Sequence, residues 1–222
     1  MRPADRHELK GKQMITAHAA LARLQEGNRR FISGSGRDHT LRSQTLRNEL
    51  VEGQAPFAII LGCSDSRVPA ELVFDQGLGA LFVIRIAGNI VAPSQIASVE
   101  FAAERFGTPL VVVLGHSRCG AVAATLEQIT QPTQNQSVHL HSIVERVRPA
   151  VEPLLETELR NDPDALVCAA IRANVRISAD HLRHGSEILE QRIAQRQLMI
   201  VGAEYSLETG VVDFFDGVDA PA

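Results

Sequence analysis

Between residues 57 and 129 two kinds of pattern alternate, and that alternation restricts the fold more than any other feature of the chain. The segments "FAIIL" (57–61), "LFVIRI" (81–86) and "LVVVL" (110–114) are short, rich in β-branched residues and apolar at almost every position. A strand with one wet face would alternate apolar and polar residues, so these segments read as strands covered on both sides, as in a parallel sheet. Between and after them, "SQIASVEFAAERF" (94–106) and "GAVAATLEQI" (from about 120) place apolar residues at helical spacing. The expectation is an α/β fold with a mostly parallel central sheet flanked by helices. Two or three helices should follow between about 138 and 195, one of them opened by Asp162-Pro163. The segment "QLMIVGAEYSLETGVVDFF" reads as two strands joined by a turn at Glu208-Thr209-Gly210, which predicts a C-terminal hairpin or antiparallel edge strand.

Ahead of the core, "TAHAALARLQEGNRRFI" predicts an amphipathic helix capped by Thr16. A Gly-rich polar loop over 33–42 and a short helix over 43–53 ending at Gly53 complete an N-terminal helical arm, about 14–53. The remaining core, about 54–222, belongs with the arm in a single domain, since 222 residues fall within the range of one compact unit. The net charge of −4 and isoelectric point near 6.1 argue against nucleic acid as a partner, because phosphate neutralisation needs a basic excess. The N-terminal segment has no apolar core of signal-peptide length, and no run approaches the roughly 18 apolar residues that span a bilayer. The chain therefore reads as cytoplasmic, with no membrane partner.

Three cysteines do not build a disulfide framework in a chain of this length. Cys168, in the helical pattern "DALVCAAIRANV", is expected to be a small buried hydrophobe. Cys63 and Cys119 differ, because each follows a strand and stands in a turn, in "GCSDSRVPAE" and "LGHSRCGA". Ligands of open α/β sheets bind beyond the carboxyl ends of strands, so two neighbouring strand ends would gather Cys63, Asp65, Arg67, His116 and Cys119 in one crevice. Two thiolates and an imidazole suit Zn²⁺, one ion per chain, in a site that leaves a fourth position for chemistry. Gly115 and Gly120 are expected to permit the tight path around His116 and Cys119. Asp65 is either the fourth protein ligand or the partner of Arg67 in a bidentate pair, in which case water takes the fourth place.

These motifs resemble the β-class carbonic anhydrases: Cys-Ser-Asp-Ser-Arg at 63–67 followed by Val68-Pro69, "RIAGNI" at 85–90, and His-Ser-Arg-Cys-Gly at 116–120. The likeness runs from about Ala17 to Phe215. It implies reversible hydration of CO₂ to bicarbonate and a proton through a zinc-bound hydroxide, with CO₂ and bicarbonate as the small-molecule partners. By the same likeness Cys63, His116 and Cys119 are the zinc ligands, Asp65 and Arg67 the catalytic dyad, and the Gly120 backbone amide a donor to substrate. It also implies a homodimer or homotetramer in which N-terminal helices wrap the partner, and the amphipathic helix starting after Thr16 would find its apolar stripe covered there. Plant-type members carry a glutamine shortly after the dyad helix, and Gln76 lies one position displaced from it. The subgroup with a non-catalytic bicarbonate pocket uses a tryptophan, and this chain has none.

Zinc lowers the pKa of its water to about 7 when three neutral imidazoles hold it. Two thiolates offset the metal's charge, so the nucleophile is expected to accumulate only above neutrality. Val68 and Ile86 are candidates for the apolar wall that CO₂ requires. Two other functions fit the same residues: hydrolysis of a CO₂-like sulfur compound such as carbonyl sulfide or carbon disulfide, and a non-enzymatic zinc-binding regulatory protein.

Overall fold

A computed structural model describes residues 15–36, 47–48, 50–132 and 137–218. Among these, the central sheet is formed by β1 (Ala58–Gly62), β2 (Leu81–Arg85), β3 (Leu110–His116), β4 (Met199–Tyr205) and β5 (Val212–Asp216). Their order across the sheet is β2-β1-β3-β4-β5. β1 pairs in parallel with β2 and β3, and β3 in parallel with β4, while β5 runs antiparallel to β4 as the hairpin edge strand. The helices are α1 (Ala17–Ile32), α2 (Ala70–Val73), α3 (Pro93–Phe106), α4 (Gly120–Thr130), α5 (Val138–Leu155), α6 (Pro163–His184) and α7 (Glu187–Ala194).

Every residue of β1 and β3 is buried, which is what their unbroken apolar character requires. Successive side chains point to opposite faces, and two clusters result. Ala58, Ile60, Val112 and Leu114 pack beneath α1 and α2, with Ala20, Leu21, Leu24 and Phe74. Ile59, Leu61, Val111 and Val113 pack on the other side against Val99 and Ala103 of α3, Val175 and Leu182 of α6, and Leu189 of α7. A third cluster lies beyond the strand ends, where Cys63 and Cys119 join Val122 of α4, Val147 of α5 and Ile171 of α6.

Caps fix the helix starts. Thr16 accepts from the Ala19 N–H before α1, and Asp162 accepts from the Ala165 N–H before α6, with Pro163 at the first helical position. Of the short helix expected over 43–53, residues 47, 48 and 50 are helical; 43–46 and 49 lie outside the described residues, as do 37–42 of the expected loop.

α1 packs part of its apolar stripe on its own chain: Leu24 is fully buried, and Asn28 Nδ2 donates to Val73 O at 3.1 Å and Gly210 O at 2.9 Å, while Phe31 and Ile32 at its end stay exposed. Two expectations change. Cys168 is exposed, because the buried face of α6 is the stripe Leu166, Ala170, Ile171, Asn174, Val175 and Ser178, and residue 168 sits on the opposite side. β3 continues through Gly115 and His116, which pair with Glu204 and Tyr205, so Gly115 is strand and not turn. Its missing side chain serves packing, since a Cβ there would lie 2.5 Å from Val175 Cγ2 on α6.

Candidate metal centre

From β1 the chain turns to β2 on one side, then crosses back to place β3 on the other, so the carboxyl ends of β1 and β3 flank the point where the winding reverses. β1 delivers Cys63 one residue past Gly62; β3 ends on His116; Cys119 occupies the cap position of α4. The two sulfurs and a ring nitrogen of His116 lie within 4.8 Å of one another, and all three residues are buried.

His116 is fully buried, and its two nitrogens have different fates. Nδ1 lies 2.8 Å from the Ser117 carbonyl, which can only accept, so Nδ1 carries the hydrogen and Nε2 keeps its lone pair. Nε2 has no hydrogen-bond partner among the described residues. A buried polar atom left unsatisfied costs on the order of 1–3 kcal/mol. A cation bound between Nε2 and the two sulfurs removes that deficit, so the donor set fits a divalent metal.

The thiols agree. The hydrogen bond from Cys119 pulls Cys63 well below the usual thiol range, against the effect of burial, and the Gly88 N–H acts in the same direction. The same contact with Cys63, together with burial, pushes Cys119 up. One thiolate forms readily and the second resists charging beside it, an obstacle that a divalent cation removes. The Gly88 N–H donates to Cys63 Sγ at 3.4 Å, and Gly88 reaches it from a one-turn 3-10 helix (Ala87–Asn89) with φ of 71°, in the left-handed region that favours glycine.

Asp65 and Arg67 form the expected bidentate pair: Arg67 Nε donates to Oδ1 at 2.9 Å and Nη2 to Oδ2 at 2.7 Å. The Arg67 backbone N–H adds a third bond to Oδ1 at 2.9 Å. These bonds hold the carboxyl well below the usual carboxylate range. Its Oδ2 also lies 3.9 Å from His116 Nε2.

The sequence reading gave no role to Arg85, which fixes the loop between the ligand and the dyad. Its Nε donates to the Cys63 carbonyl at 3.1 Å and its Nη2 to the Asp65 carbonyl at 2.6 Å. The motif "RIAGNI" contained both Arg85 and Gly88, so the signal was present without its mechanism. Gly120 opens α4, where a first-turn N–H has no partner within the helix. Gln76 is buried and bonded to Arg23 Nε and to the Phe74 carbonyl rather than to the Cys-His-Cys group. Of the expected apolar wall, Val68 is buried in the cluster under α1, while Ile86 packs with the cluster that holds Cys63 and Cys119. An open cleft of about 470 Å³, lined by Arg67, Arg118, Tyr205, Leu207 and Glu208, adjoins the dyad.

Comparison with known proteins gives one consistent answer. The family profile described as carbonic anhydrase matches residues 58–212. Carbonic anhydrase 2 of Mycobacterium tuberculosis is 41% identical over 192 residues, which cover 86% of this chain and 89% of that protein. The solved β-carbonic anhydrase CcaA superposes with a TM-score of 0.71 at 26% identity, covering 90% of this chain and 92% of the other. A tetrameric β-carbonic anhydrase from Sordaria macrospora gives 0.68 at 26% identity, covering 76% and 85%.

Proposed function

The chain belongs to the β-class carbonic anhydrases, and from that premise we propose that it interconverts CO₂ and bicarbonate at one zinc ion held by Cys63, His116 and Cys119. The observation that carries the zinc assignment is the buried Nε2 of His116, unpartnered among the described residues, on a ring that has a nitrogen within 4.8 Å of two cysteine sulfurs. Zinc bound there would supply Lewis acidity, lowering the pKa of a coordinated water enough to make it a nucleophile for CO₂ above neutrality, because two thiolates offset part of the metal's charge.

The chain's own residues do the rest. The Ser117 carbonyl keeps the hydrogen of His116 on Nδ1, leaving Nε2 as the donor atom. Arg67 occupies both oxygens of Asp65, which supports the reading in which Asp65 stays paired and accepts a hydrogen bond over the other one, in which it is itself the fourth ligand. Asp65, kept ionised by Arg67, then orients the proton-bearing side of the nucleophile and turns a lone pair towards substrate. In this reading the Gly120 amide, at the positive end of α4, donates to a substrate oxygen on which negative charge develops.

Self-association as a dimer or tetramer belongs to the same reading. The tetrameric Sordaria relative supports it, as do the apolar side chains left exposed, Phe101 at 53% and Leu72 at 50% among them. Free thiols at Cys63 and Cys119 are consistent with a reducing, cytoplasmic setting, and no described helix is long and apolar enough to cross a membrane.

The test is stopped-flow CO₂ hydration on zinc-loaded and chelated protein, with elemental analysis of wild type and Cys119→Ser. The expected result is one zinc per chain in wild type, with both metal and hydration lost in Cys119→Ser. Full zinc in that variant, or rapid hydration after verified metal removal, would sink the assignment.

A further inference from the structure

Ser117 stands between two of the three candidate ligands, and every polar group it has is engaged. Its N–H donates to Tyr205 O at 2.9 Å. Its Oγ donates to Glu208 Oε2 at 2.7 Å and accepts from the Leu207 N–H at 2.9 Å. Its carbonyl receives the Nδ1 hydrogen of His116. The next residue, Arg118, has φ of 57°, an uncommon backbone conformation for a side chain of this size. Arg118 Nε donates to the other oxygen of Glu208 at 2.6 Å. One carboxylate on the turn between β4 and β5 therefore grips both residues that separate His116 from Cys119.

We propose that Glu208 is a positioning residue of the metal centre: through Ser117 it fixes the carbonyl that orients His116, and through Arg118 it locks the turn that delivers Cys119. Metal-binding histidines usually donate their second ring N–H to a carboxylate, a backbone carbonyl or water, and His116 uses a carbonyl. Here the carboxylate acts one residue removed, through a peptide group whose serine it holds. The turn that carries Glu208 is closed by its own bonds, Gly210 N–H to Ser206 O at 2.9 Å and Thr209 N–H to Ser206 Oγ at 3.1 Å, so it is a formed base for the contact. The Ser117 hydroxyl, then its own backbone N–H and after that Arg118 hold the Glu208 carboxyl down to about 2, so it is charged wherever the enzyme works. The strain at Arg118 is the kind that persists only when its surroundings over-determine it, and the Glu208 contact is the restraint visible on its side chain.

The proposal rests on zinc being held by Cys63, His116 and Cys119, and the experiment keeps the two apart. Glu208→Ala, Glu208→Gln and Ser117→Ala are loaded with zinc, and release to a chromogenic chelator is timed at fixed pH. Glu208→Ala is expected to release zinc about tenfold faster or more, Glu208→Gln by an intermediate factor, and the Ser117→Ala, Glu208→Ala pair by less than the product of the single effects. The cobalt-substituted Glu208→Ala protein should show a shifted absorption band from its thiolate-bound metal. The thermal midpoint of the zinc-free protein should be almost unchanged. Release within about twofold of wild type overturns the proposal. An equal fall in midpoint with and without zinc also overturns it, since that is the mark of a staple that only holds the hairpin down. Cys119→Ser is the control: if it keeps full zinc, the metal assignment fails and this proposal falls with it, whereas zinc lost from Cys119→Ser and retained normally by Glu208→Ala removes Glu208 alone.

Discussion

Arg67 leaves half of its side chain in solvent while its partner Asp65 is mostly covered, so the pair is a guanidinium reaching in from the cleft to hold a carboxylate beside the ligands. Removing that hold should disturb chemistry more than metal binding. Arg67→Ala is expected to lower CO₂ hydration roughly tenfold or more, the usual effect of losing such a partner, while elemental analysis still finds one zinc per chain. An unchanged rate would take the dyad out of the mechanism. The pair also has a pH signature. Because Arg67 depresses the folded-state carboxyl, the stability it adds is present above the ordinary carboxylate range near pH 4 and is lost as pH falls through the folded value. Denaturation of zinc-free protein should accordingly show the difference between wild type and Arg67→Ala narrowing below about pH 4 and constant above about pH 6. Cys168 gives the opposite expectation. It is exposed on α6 and the Cys-His-Cys group excludes it, so Cys168→Ala should leave zinc content intact and shift stability by no more than about 0.5 kcal/mol. It should also abolish the single fast-reacting thiol of the zinc-loaded protein, counted with a thiol reagent. A second fast thiol in wild type would place Cys63 or Cys119 outside the metal shell.

At the scale of elements, α1 shows how a helix legible from its periodicity can keep its partner hidden. The apolar spacing and the Thr16 cap identify it, but where it docks depends on Gly27, whose missing side chain lets the helix lie directly on the Phe74 carbonyl at the end of α2. Gly27→Ala would drive a Cβ into that carbonyl, which is backbone and cannot rotate away. The expected loss is about 1–3 kcal/mol, read as a lower denaturant midpoint with an unchanged slope. A midpoint equal to wild type would mean that α1 is not seated there. The same distinction separates what the residues disclosed from what they did not. β1 and β3 were legible because burial on both faces leaves an apolar run in sequence, and the Cys-His-Cys group was legible because both strands end on their ligands. The end of β3 was not, since Gly115-His116 reads as a turn until Glu204 and Tyr205 are known to pair with it. The exposure of Cys168 depends on which stripe of α6 meets the sheet, a matter of register between distant elements. Glu208 left no local sign either: its partners Ser117 and Arg118 are 91 and 90 residues away, and in sequence it is only a polar residue in a hairpin turn.

Across the whole molecule the candidate centre adds a further tie between parts that sheet pairing and packing already bring close. Cys63 follows β1, His116 closes β3 and Cys119 opens α4, while the cluster around the two cysteines draws in α5 and α6. A metal held by those three residues binds the folded chain, because unfolding separates ligands that lie 53 and 3 residues apart in sequence. Whatever binds only the folded state stabilises it by mass action, by about 4 kcal/mol when free metal exceeds its dissociation constant a thousandfold. For a chain of this length 1 kcal/mol moves the thermal midpoint by roughly 2–4 °C, so loaded and chelated protein should differ by roughly 8–16 °C. The difference should shrink as pH falls, since both thiols must lose their protons to bind and acid returns them. The measurement is a thermal melt before and after dialysis against a chelator, with zinc determined in each sample and the midpoint restored by adding zinc back. A midpoint that does not move after verified metal loss would mean that Cys63, His116 and Cys119 are held together by the fold alone, and that the metal contributes to chemistry without contributing to the stability of the native state.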